Sequence, residues 1–257
     1  GYAFCNVGNT TSLDKSVEPP LINFTYIVQM GSRARIARID ITGNEGTRDW
    51  TIRRELRMYE GDLFNETAMK KSEARIRRLG FFEKVEITDK PGREPNEMDL
   101  VVDVKERQTG ALTVGAGISS VENFMFQAQV SKQNFLGRGQ NISLQAILSS
   151  LRTIFMLSFE EPYLFDTNWT LALEGYNYEM AYTDYNRVAT GLDVTVGRRI
   201  TDDFGLSLGY KIEGVDIQSG QSSITSVPVA NLFEKGLISS LTGTVYYDSR
   251  DDRMFTT

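Results

Sequence analysis

The feature that most constrains this chain is a two-residue alternation of apolar and polar residues, which recurs about eight times in residues 108–257. A period of two is typical of β-strands whose two faces meet different surroundings. In the first segment, Leu112 and Val114 alternate with Thr113 and Gly115. The eight segments cover residues 112–118, 124–131, 141–148, 155–159, 169–173, 192–196, 206–213 and 241–245. No helical period interrupts them, so this region is predicted to be entirely β.

The polar face of these segments indicates what lies on either side of the sheet. It carries Gln127, Gln145, Asp193, Lys211 and Glu213 near the strand centres. A soluble barrel has an apolar interior, whereas a membrane barrel has a hydrated lumen and lipid outside. We therefore favour a transmembrane barrel, with strands of about 8–12 residues that suit a tilted crossing. A soluble all-β domain is the alternative, because each segment alone gives a weak signal.

The ends of the predicted strands support a membrane barrel. Aromatic residues such as Tyr163, Trp169 and Tyr246 cluster there, as expected of belts at a lipid–water boundary. Compact turns rich in Gly, Pro, Asp and Asn are predicted at residues 134–140, 162–168 and 201–203. Longer loops are predicted at the opposite end, at residues 180–186 and 218–235. Outer-membrane barrels have short periplasmic turns, which places the first region of the chain in the periplasm.

The composition excludes most catalytic chemistry. The chain contains no histidine and a single cysteine, Cys5, so catalytic triads, His-ligated metals and multi-Cys zinc sites are excluded. Residues 1–110 carry 18 basic and 18 acidic side chains, and residues 111–257 carry 10 and 16. Neither part suits a polyanion, so we expect no nucleic-acid partner. We predict no enzyme activity, no cofactor and no metal site.

Residues 32–107 change to the pattern of a small α+β domain. The predicted order is β-α-α-β-β, which needs helices on one face of a short sheet. Thr47 or Asp49 is predicted to cap the first helix, and Asn65 to cap the second. The elements are strand Arg35–Thr42, helices at residues 49–58 and 66–79, and strands at residues 81–88 and 100–105.

The chain before this domain is too short for a core of its own. Residues 1–6 and 21–30 are predicted to form two strands, and two strands alone cannot bury a core. We interpret residues 1–31 as the C-terminal remnant of a preceding domain of the same type. Residues 32–107 then form the last such domain, and residues 108–257 the N-terminal half of the barrel.

Several sequence blocks carry a family resemblance. They are Arg78-Leu79-Gly80-Phe81-Phe82, Lys105-Glu106-Arg107-Gln108-Thr109-Gly110, Asn134-Phe135-Leu136-Gly137-Arg138-Gly139 and Glu161-Pro162-Tyr163-Leu164-Phe165-Asp166. In this order the chain resembles the BamA family of POTRA-plus-barrel insertases, the outer-membrane protein assembly factors. The resemblance implies an α+β POTRA domain (β-α-α-β-β) followed by part of an antiparallel transmembrane β-barrel, about eight of about sixteen strands.

The same resemblance implies a function and partners. Members of the family fold and insert β-barrel proteins into the bacterial outer membrane, with POTRA domains in the periplasm. The expected partners are unfolded outer-membrane proteins, accessory lipoproteins of the BamD type and the lipid bilayer. A POTRA-barrel transporter that secretes one partner protein is the closest alternative. A passive outer-membrane channel is the other.

Strand pairing at open sheet edges is the mechanism we expect, because an unpaired edge can template an incoming strand. The predicted lateral-gate strand contains Gly110, Ala111, Leu112, Thr113, Val114, Gly115, Ala116 and Gly117. Its glycines either weaken the pairing between this first strand and the last strand of the barrel, or simply let the barrel curve.

The POTRA domain offers two further candidate contact sites. One is an edge strand to which an unfolded client could add a further strand; alternatively, its charged side chains protect the edge against aggregation. The predicted POTRA edge strand contains Phe81, Phe82, Glu83, Lys84, Val85, Glu86 and Ile87. The predicted contact with an accessory lipoprotein is a charged helix face, which is otherwise an ordinary solvated face. It contains Arg53, Arg54, Glu55 and Arg57.

Overall fold

The computed structural model divides the chain into two compact units, Gly1–Gln108 and Thr109–Thr257. The structure describes residues 6–14, 21–29, 33–94, 96–183, 185–201, 203–219 and 235–248. Within these residues, neither of the two helices is long and apolar enough to cross a membrane.

The first unit contains a three-stranded sheet with two helices, which confirms the predicted β-α-α-β-β order. Its elements are β3 (Arg35–Thr42), α1 (Asp49–Arg53), α2 (Glu66–Arg78), β4 (Phe82–Pro91) and β5 (Glu97–Glu106). β5 lies in the centre, parallel to β3 and antiparallel to β4. The ladder between β4 and β5 reaches Pro91 and Met98, so the turn is shorter than predicted.

One apolar core holds these elements together. Alternate residues of the strands point into it, because side chains on a strand alternate between its faces. Ile36, Val102 and Leu100 are fully buried, and the helices add Ile52 and Ile76. Truncation of such a side chain to alanine usually costs about 2–5 kcal/mol of folding free energy.

The prediction that the first helix spans residues 49–58 is wrong, because α1 ends at Arg53. The N–H groups of Glu55 and Leu56 donate to carbonyl groups only three residues earlier, at 3.0 and 3.1 Å. The N–H of Arg57 then donates to the Ser72 hydroxyl at 2.8 Å. The chain therefore leaves the helix early and carries Leu56 into the core.

The predicted caps of the two helices have different outcomes. Arg48 occupies the N-cap of α1 without a side-chain hydrogen bond, so the prediction of Thr47 or Asp49 is wrong. The N–H of Thr47 donates instead to Glu106 at 2.6 Å. The prediction for α2 is confirmed, since the Asn65 side chain accepts from the N–H groups of residues 67 and 68.

A separate hairpin precedes β3 in the chain. It consists of β1 (Asn6–Asp14) and β2 (Leu21–Gln29), paired antiparallel from Asn6 and Gln29 to Asp14 and Leu21. The predicted second strand is confirmed. The predicted first strand at residues 1–6 lies almost entirely outside the described residues, and only Asn6 of it is seen, as part of β1.

The second unit contains one antiparallel sheet of eight consecutive strands, as the alternation predicted. Its order is strictly sequential from β6 to β13, so strands that follow each other in the chain are neighbours in the sheet. The strands are β6 (Gly110–Ser119), β7 (Asn123–Phe135), β8 (Gln140–Ser149), β9 (Arg152–Glu161), β10 (Trp169–Ala181), β11 (Tyr185–Arg199), β12 (Phe204–Ser219) and β13 (Lys235–Tyr247).

The register aligns the apolar residues of all eight strands on one face. Leu112 lies opposite Val130, Leu144 opposite Leu157, and Leu208 lies on the same face further along the sheet. All of these side chains are partly or largely exposed. Because a one-residue slip would turn each side chain to the other face, this register is fixed by the two environments.

The connections at the two ends of the sheet are more alike than predicted. The compact turns predicted at residues 134–140 and 162–168 are confirmed, although β7 and β8 leave only residues 136–139 between them. The prediction of a longer loop at residues 180–186 is wrong, because β10 extends to Ala181 and β11 begins at Tyr185. The stacked rings of Tyr182 and Tyr185 close this connection. The predicted loop at 218–235 lies almost entirely outside the described residues.

Candidate functional site

β6 lies at one edge of the eight-stranded sheet, and a row of its backbone groups points outward from that edge. Residues of an antiparallel pair alternate between those that bond to the partner and those that point away from it. The N–H of Gln133 donates to the Thr109 carbonyl at 3.1 Å, which fixes this alternation. The groups that point away from β7 define the β6 rim. They belong to Gly110, Leu112, Val114, Ala116 and Ile118.

The side chains of β6 hold it only weakly to its surroundings. Leu112 and Ile118 are 70% and 89% exposed on the apolar face. On the polar face, a methyl group added to Gly115 or Gly117 would meet no atom within 4 Å. Among the described residues no strand pairs with the rim. The structure therefore places all eight predicted gate residues on one strand that is held mainly by its backbone ladder with β7.

A polar cluster on β10, β11 and β12 was not predicted from the sequence. The carboxylate of Glu213, whose residue is only 3% exposed, accepts from the Tyr176 hydroxyl at 2.5 Å and from Arg187 at 2.6 Å. The ammonium group of Lys211 lies 3.2 Å from the same carboxylate. Tyr176, Arg187, Lys211 and Glu213 form what we call the Glu213 cluster, which joins three strands.

Gly191 makes the Glu213 cluster possible. It lies opposite Tyr176 on one side and Glu213 on the other. A methyl group at Gly191 would overlap the Tyr176 ring. The ring therefore crosses β11 over the glycine to reach Glu213, which resembles the aromatic covering of a strand glycine known in β-sheets. A glycine inside an otherwise regular strand was the available sequence signal.

The two outer strands of the POTRA sheet differ in how their edges are covered. The outer edge of β3 is bonded to the segment before α2: Ile36 exchanges hydrogen bonds of 2.9 and 2.8 Å with Asp62 and Gly61. The Arg53 guanidinium also donates to the Ile39 carbonyl at 3.1 Å. These contacts already occupy the backbone groups that an added strand would need at β3.

The outer edge of β4 is more accessible. The Arg77 guanidinium donates to the Val85 carbonyl at 3.3 Å, so this carbonyl points away from β5. By the alternation of an antiparallel pair, the backbone groups of Ile87 and Asp89 point the same way. The predicted edge strand is thus placed at an edge, although Phe81 lies just before it.

The charged side chains of β4 pair with each other and with β5. Glu83 contacts Lys105 at 2.9 Å, and Lys84 contacts Glu86 at 2.6 Å. The hydrogen bond and charge of Glu86 raise the pKa of Lys84 above its usual value. These pairs are solvent-exposed, where an ion pair contributes little to stability, and they leave this face of the strand nearly neutral.

The expectation of one charged helix face at residues 53–57 is wrong, because α1 ends at Arg53. Glu55 is 4% exposed and contacts Arg75 at 2.9 Å. Arg53 pairs with Asp49 at 3.1 Å, and Arg54 lies over the Trp50 ring at 5.1 Å. Arg57 is the exposed member of the group. The described residues contain no group of three or more acidic, His or Cys side chains able to hold a metal.

Family models match most of the chain. Residues 34–107 match the POTRA family, described as a surface antigen variable number repeat. Residues 134–257 match the Omp85 superfamily domain. The first match begins just before β3 and ends just after β5. The second begins at the end of β7 and includes the strands of the Glu213 cluster.

Individual relatives agree with these models. The chain is 30% identical over 217 residues to the outer membrane protein assembly factor BamA of Nitratidesulfovibrio vulgaris, covering 84% of this chain and 27% of the relative. It therefore spans about a quarter of that relative's length. The crystal structure of BamA from Haemophilus ducreyi lacking POTRA domains 1–3 has a TM-score of 0.75 at 23% identity, covering all of this chain and 52% of that one.

Another solved structure shares the fold at lower similarity. CdiB from Escherichia coli gives a TM-score of 0.54 at 12% identity, covering 95% of this chain and 46% of that one. The matched domains place the protein in the outer membrane, with its POTRA domain in the periplasm. The chain belongs to the Omp85 superfamily and is a relative of the BamA outer-membrane assembly factors.

Proposed function

We propose that the chain is part of the core of a machine that folds and inserts β-barrel proteins into the outer membrane. The observation that carries this proposal is the β6 rim, a row of outward backbone groups on a weakly held strand. The relatives named as assembly factors support it. Unfolded outer-membrane proteins are the proposed substrates, and no nucleotide or cofactor takes part.

Backbone pairing in lipid supplies the driving force. An unpaired N–H or C=O group in hydrocarbon costs several kcal/mol, so an incoming strand gains by pairing with a rim. In an up-and-down barrel, the first strand meets the last one at the only junction that no hairpin enforces. β6 is the first strand of the sheet after the POTRA domain, and we therefore propose that its rim lies at that junction.

The β4 edge is the proposed site where the POTRA domain holds an unfolded client before insertion. Its outward groups at Val85, Ile87 and Asp89 can add one extended strand by β-augmentation. Proline at exposed Asp89 removes one outward donor without breaking the ladder to β5. We expect Asp89→Pro to weaken cross-linking of an unfolded client peptide to β4, whereas Lys105→Gln, which removes only the Glu83 ion pair, leaves it unchanged.

An accessory outer-membrane lipoprotein is proposed to bind near exposed Arg57, with Arg53, Arg54 and Glu55 shaping the surface beneath it. Arg57→Glu in the full-length protein should then lower co-purification of the lipoprotein. Lys71→Glu, a charge reversal at an exposed position of α2, is the control. Equal retention by both variants would contradict this contact.

A proline pair tests the proposed use of the β6 rim. Val114→Pro removes an outward N–H and keeps the β6–β7 ladder, because the Val114 N–H does not bond to β7. Thr113→Pro removes an N–H that bonds within the hairpin. In the full-length protein in lipid vesicles, we expect Val114→Pro to slow client folding at least about tenfold. The reason is that each backbone group left unpaired in hydrocarbon costs several kcal/mol.

The controls separate a rim effect from damage to the protein itself. Val114→Pro should fold normally, whereas Thr113→Pro and Val194→Pro, at a central strand, should lower the stability of the barrel. Normal client folding by correctly folded Val114→Pro would contradict the proposal. Secretion of one partner protein without client folding would instead support the transporter, and conductance without either would support a channel.

A further inference from the structure

Two large apolar side chains project from turns at one end of the eight-stranded sheet. Leu136, between β7 and β8, is 62% exposed, and Phe165, between β9 and β10, is 88% exposed. Their φ angles are 55° and 54°, in the left-handed region. Residues with a Cβ atom rarely adopt this conformation, and strained residues of this kind cluster at functional positions.

Specific hydrogen bonds impose these turn conformations. The Asn134 side chain accepts from the Gly139 N–H at 2.9 Å, which closes the first turn around Leu136. In the second turn, the N–H of Asp166 donates to the Tyr163 carbonyl at 3.0 Å. Both apolar side chains are therefore held outward by ordered turns.

Side-chain contacts align these turns with a third one. Glu161 is buried and accepts from Gln140, the β8 residue directly after the first turn, at 2.6 Å. It also accepts from the Tyr163 N–H in the second turn at 3.1 Å. Arg199 donates to the Tyr163 hydroxyl at 3.4 Å, next to exposed Ile200 in the third turn. Leu136, Phe165 and Ile200 thus lie along one end of the sheet, and we call them the turn anchor.

The location of the turn anchor identifies what covers it. The chain enters β6 from the POTRA domain, so hairpin turns that follow β7, β9 and β11 lie at the same end of the sheet. The strand ends of a membrane barrel lie at the lipid–water interface. Trp169 on the apolar face begins β10 beside the second turn, and the Arg198 guanidinium lies 5.2 Å from its ring centroid.

The charge of this end also fits a lipid interface. The apolar face of the strands continues into the turn anchor, and the charges around it are mixed in sign, with Arg138 and Arg199 against Glu160, Asp166 and Asp203. Such a surface has no strong preference for a polyanion or for a single charged protein partner. An apolar tip with a stacked ring and a cation is typical of interfacial anchors.

We infer that the turn anchor inserts into the phospholipid leaflet on the POTRA side of the membrane. Leu136, Phe165 and Ile200 would contact the acyl chains near the headgroups, while Arg198 reaches the phosphate groups. The anchor fixes the depth of this end of the sheet in the bilayer. It does not depend on client insertion at the β6 rim.

Spin labels in the full-length protein test this inference. Nitroxides at Leu136→Cys and Phe165→Cys, in a background without other reactive cysteines, are compared in phosphatidylethanolamine–phosphatidylglycerol vesicles. Collision rates with dissolved oxygen and with a water-soluble nickel complex are measured by electron paramagnetic resonance. We expect both labels to collide several-fold more with oxygen than with nickel, relative to a label at Asp203→Cys in the third turn.

Two further labels separate the anchor from the orientation of the sheet. Leu208→Cys, on the apolar face, should meet oxygen, and Gln145→Cys, on the polar face, should meet nickel. If these controls behave as expected but the labels at 136 and 165 meet mainly nickel, the tips lie in water and the inference is wrong. Protection of both labels from both reagents would mean that protein covers the tips, which also overturns it.

Discussion

Two regions of the eight-stranded sheet, the outer strand β6 and the strands β10–β12, share one backbone pattern but differ in how side chains join them to their neighbours. β10, β11 and β12 are joined on the polar face by the Glu213 cluster, which spans three strands through Gly191. β6 presents Gly115 and Gly117 on the same face, with open space above both. The hydrogen-bonded ladder alone therefore does not determine how firmly a strand is held.

The difference indicates which part of the sheet can move. A strand bonded on one side, with small residues on its polar face, loses few contacts when it separates or changes its partner. Strands joined by a buried carboxylate and two cations lose a charge network, and leaving one partner buried and unpaired is costly. We expect β10–β12 to remain one rigid body while β6 exchanges partners.

The largest effect is expected from Gly191→Val. The new side chain would overlap the Tyr176 ring and displace it from Glu213, costing about 3 kcal/mol or more of barrel stability. Gly115→Val, on the same face of β6, should change stability by less than about 1 kcal/mol. Urea unfolding of the full-length protein in vesicles measures both, and equal losses would remove the contrast between the two regions.

A smaller loss is expected from Glu213→Gln. The amide keeps the size of the side chain but removes the charge that faces Arg187 and Lys211, costing about 2 kcal/mol. Tyr176→Phe removes only the hydroxyl hydrogen bond and should cost about 1 kcal/mol. The same unfolding assay ranks the two variants, and a larger loss for Tyr176→Phe would show that the hydroxyl hydrogen bond rather than the charge holds the cluster.

The β6–β7 hairpin is joined to the next hairpin by an ion pair, and removing it should lower the stability of the barrel by less still. Arg152 contacts Glu122 at 3.0 Å and ties the β6–β7 turn to the β8–β9 turn. Because both side chains are partly exposed, Glu122→Gln should cost about 0.5 kcal/mol. The double reversal Glu122→Arg with Arg152→Glu should recover most of it. No recovery would mean that the loss comes from the turn itself.

The smallest effect is a pH dependence of the folding stability of the POTRA domain, which should be far smaller than the stability losses expected for the barrel variants. The Lys70 ammonium group holds the pKa of Glu66 below its ordinary value. A carboxyl with a lowered folded-state pKa stabilises above its unfolded pKa of 4.5, and this contribution is lost as the pH falls through the folded pKa. Lys70→Gln should abolish it, as measured by thermal unfolding between neutral and acidic pH; an unchanged dependence would contradict the assignment.

Much of this architecture is predictable because its signals are local. The alternation around Leu112 or Leu208 specifies a strand without any knowledge of its partners. Asn65 specifies the start of α2 in the same way, since a cap involves residues only two or three positions away. The eight strands and the longer helix were therefore predicted correctly.

The parts that were missed depend on residues distant in sequence. α1 ends early because Ser72 takes the Arg57 N–H from 15 residues away. Glu55 is buried because Arg75 reaches it from the second helix. The Glu213 cluster requires the register of three strands, which alternation does not reveal. The covered edge of β3 likewise became visible only with the segment at residues 60–64 in place.

Residue-resolved hydrogen–deuterium exchange of the full-length protein in lipid vesicles tests the central claim most directly. We predict fast exchange for the rim amides of Leu112, Val114 and Ala116, and slow exchange for those of Thr113 and Gly115, which bond within the hairpin. The amides of β11 should be slow throughout, and an inserting client strand should slow the rim amides. Equal, strong protection across β6 and β11, unchanged by a client, would contradict the account.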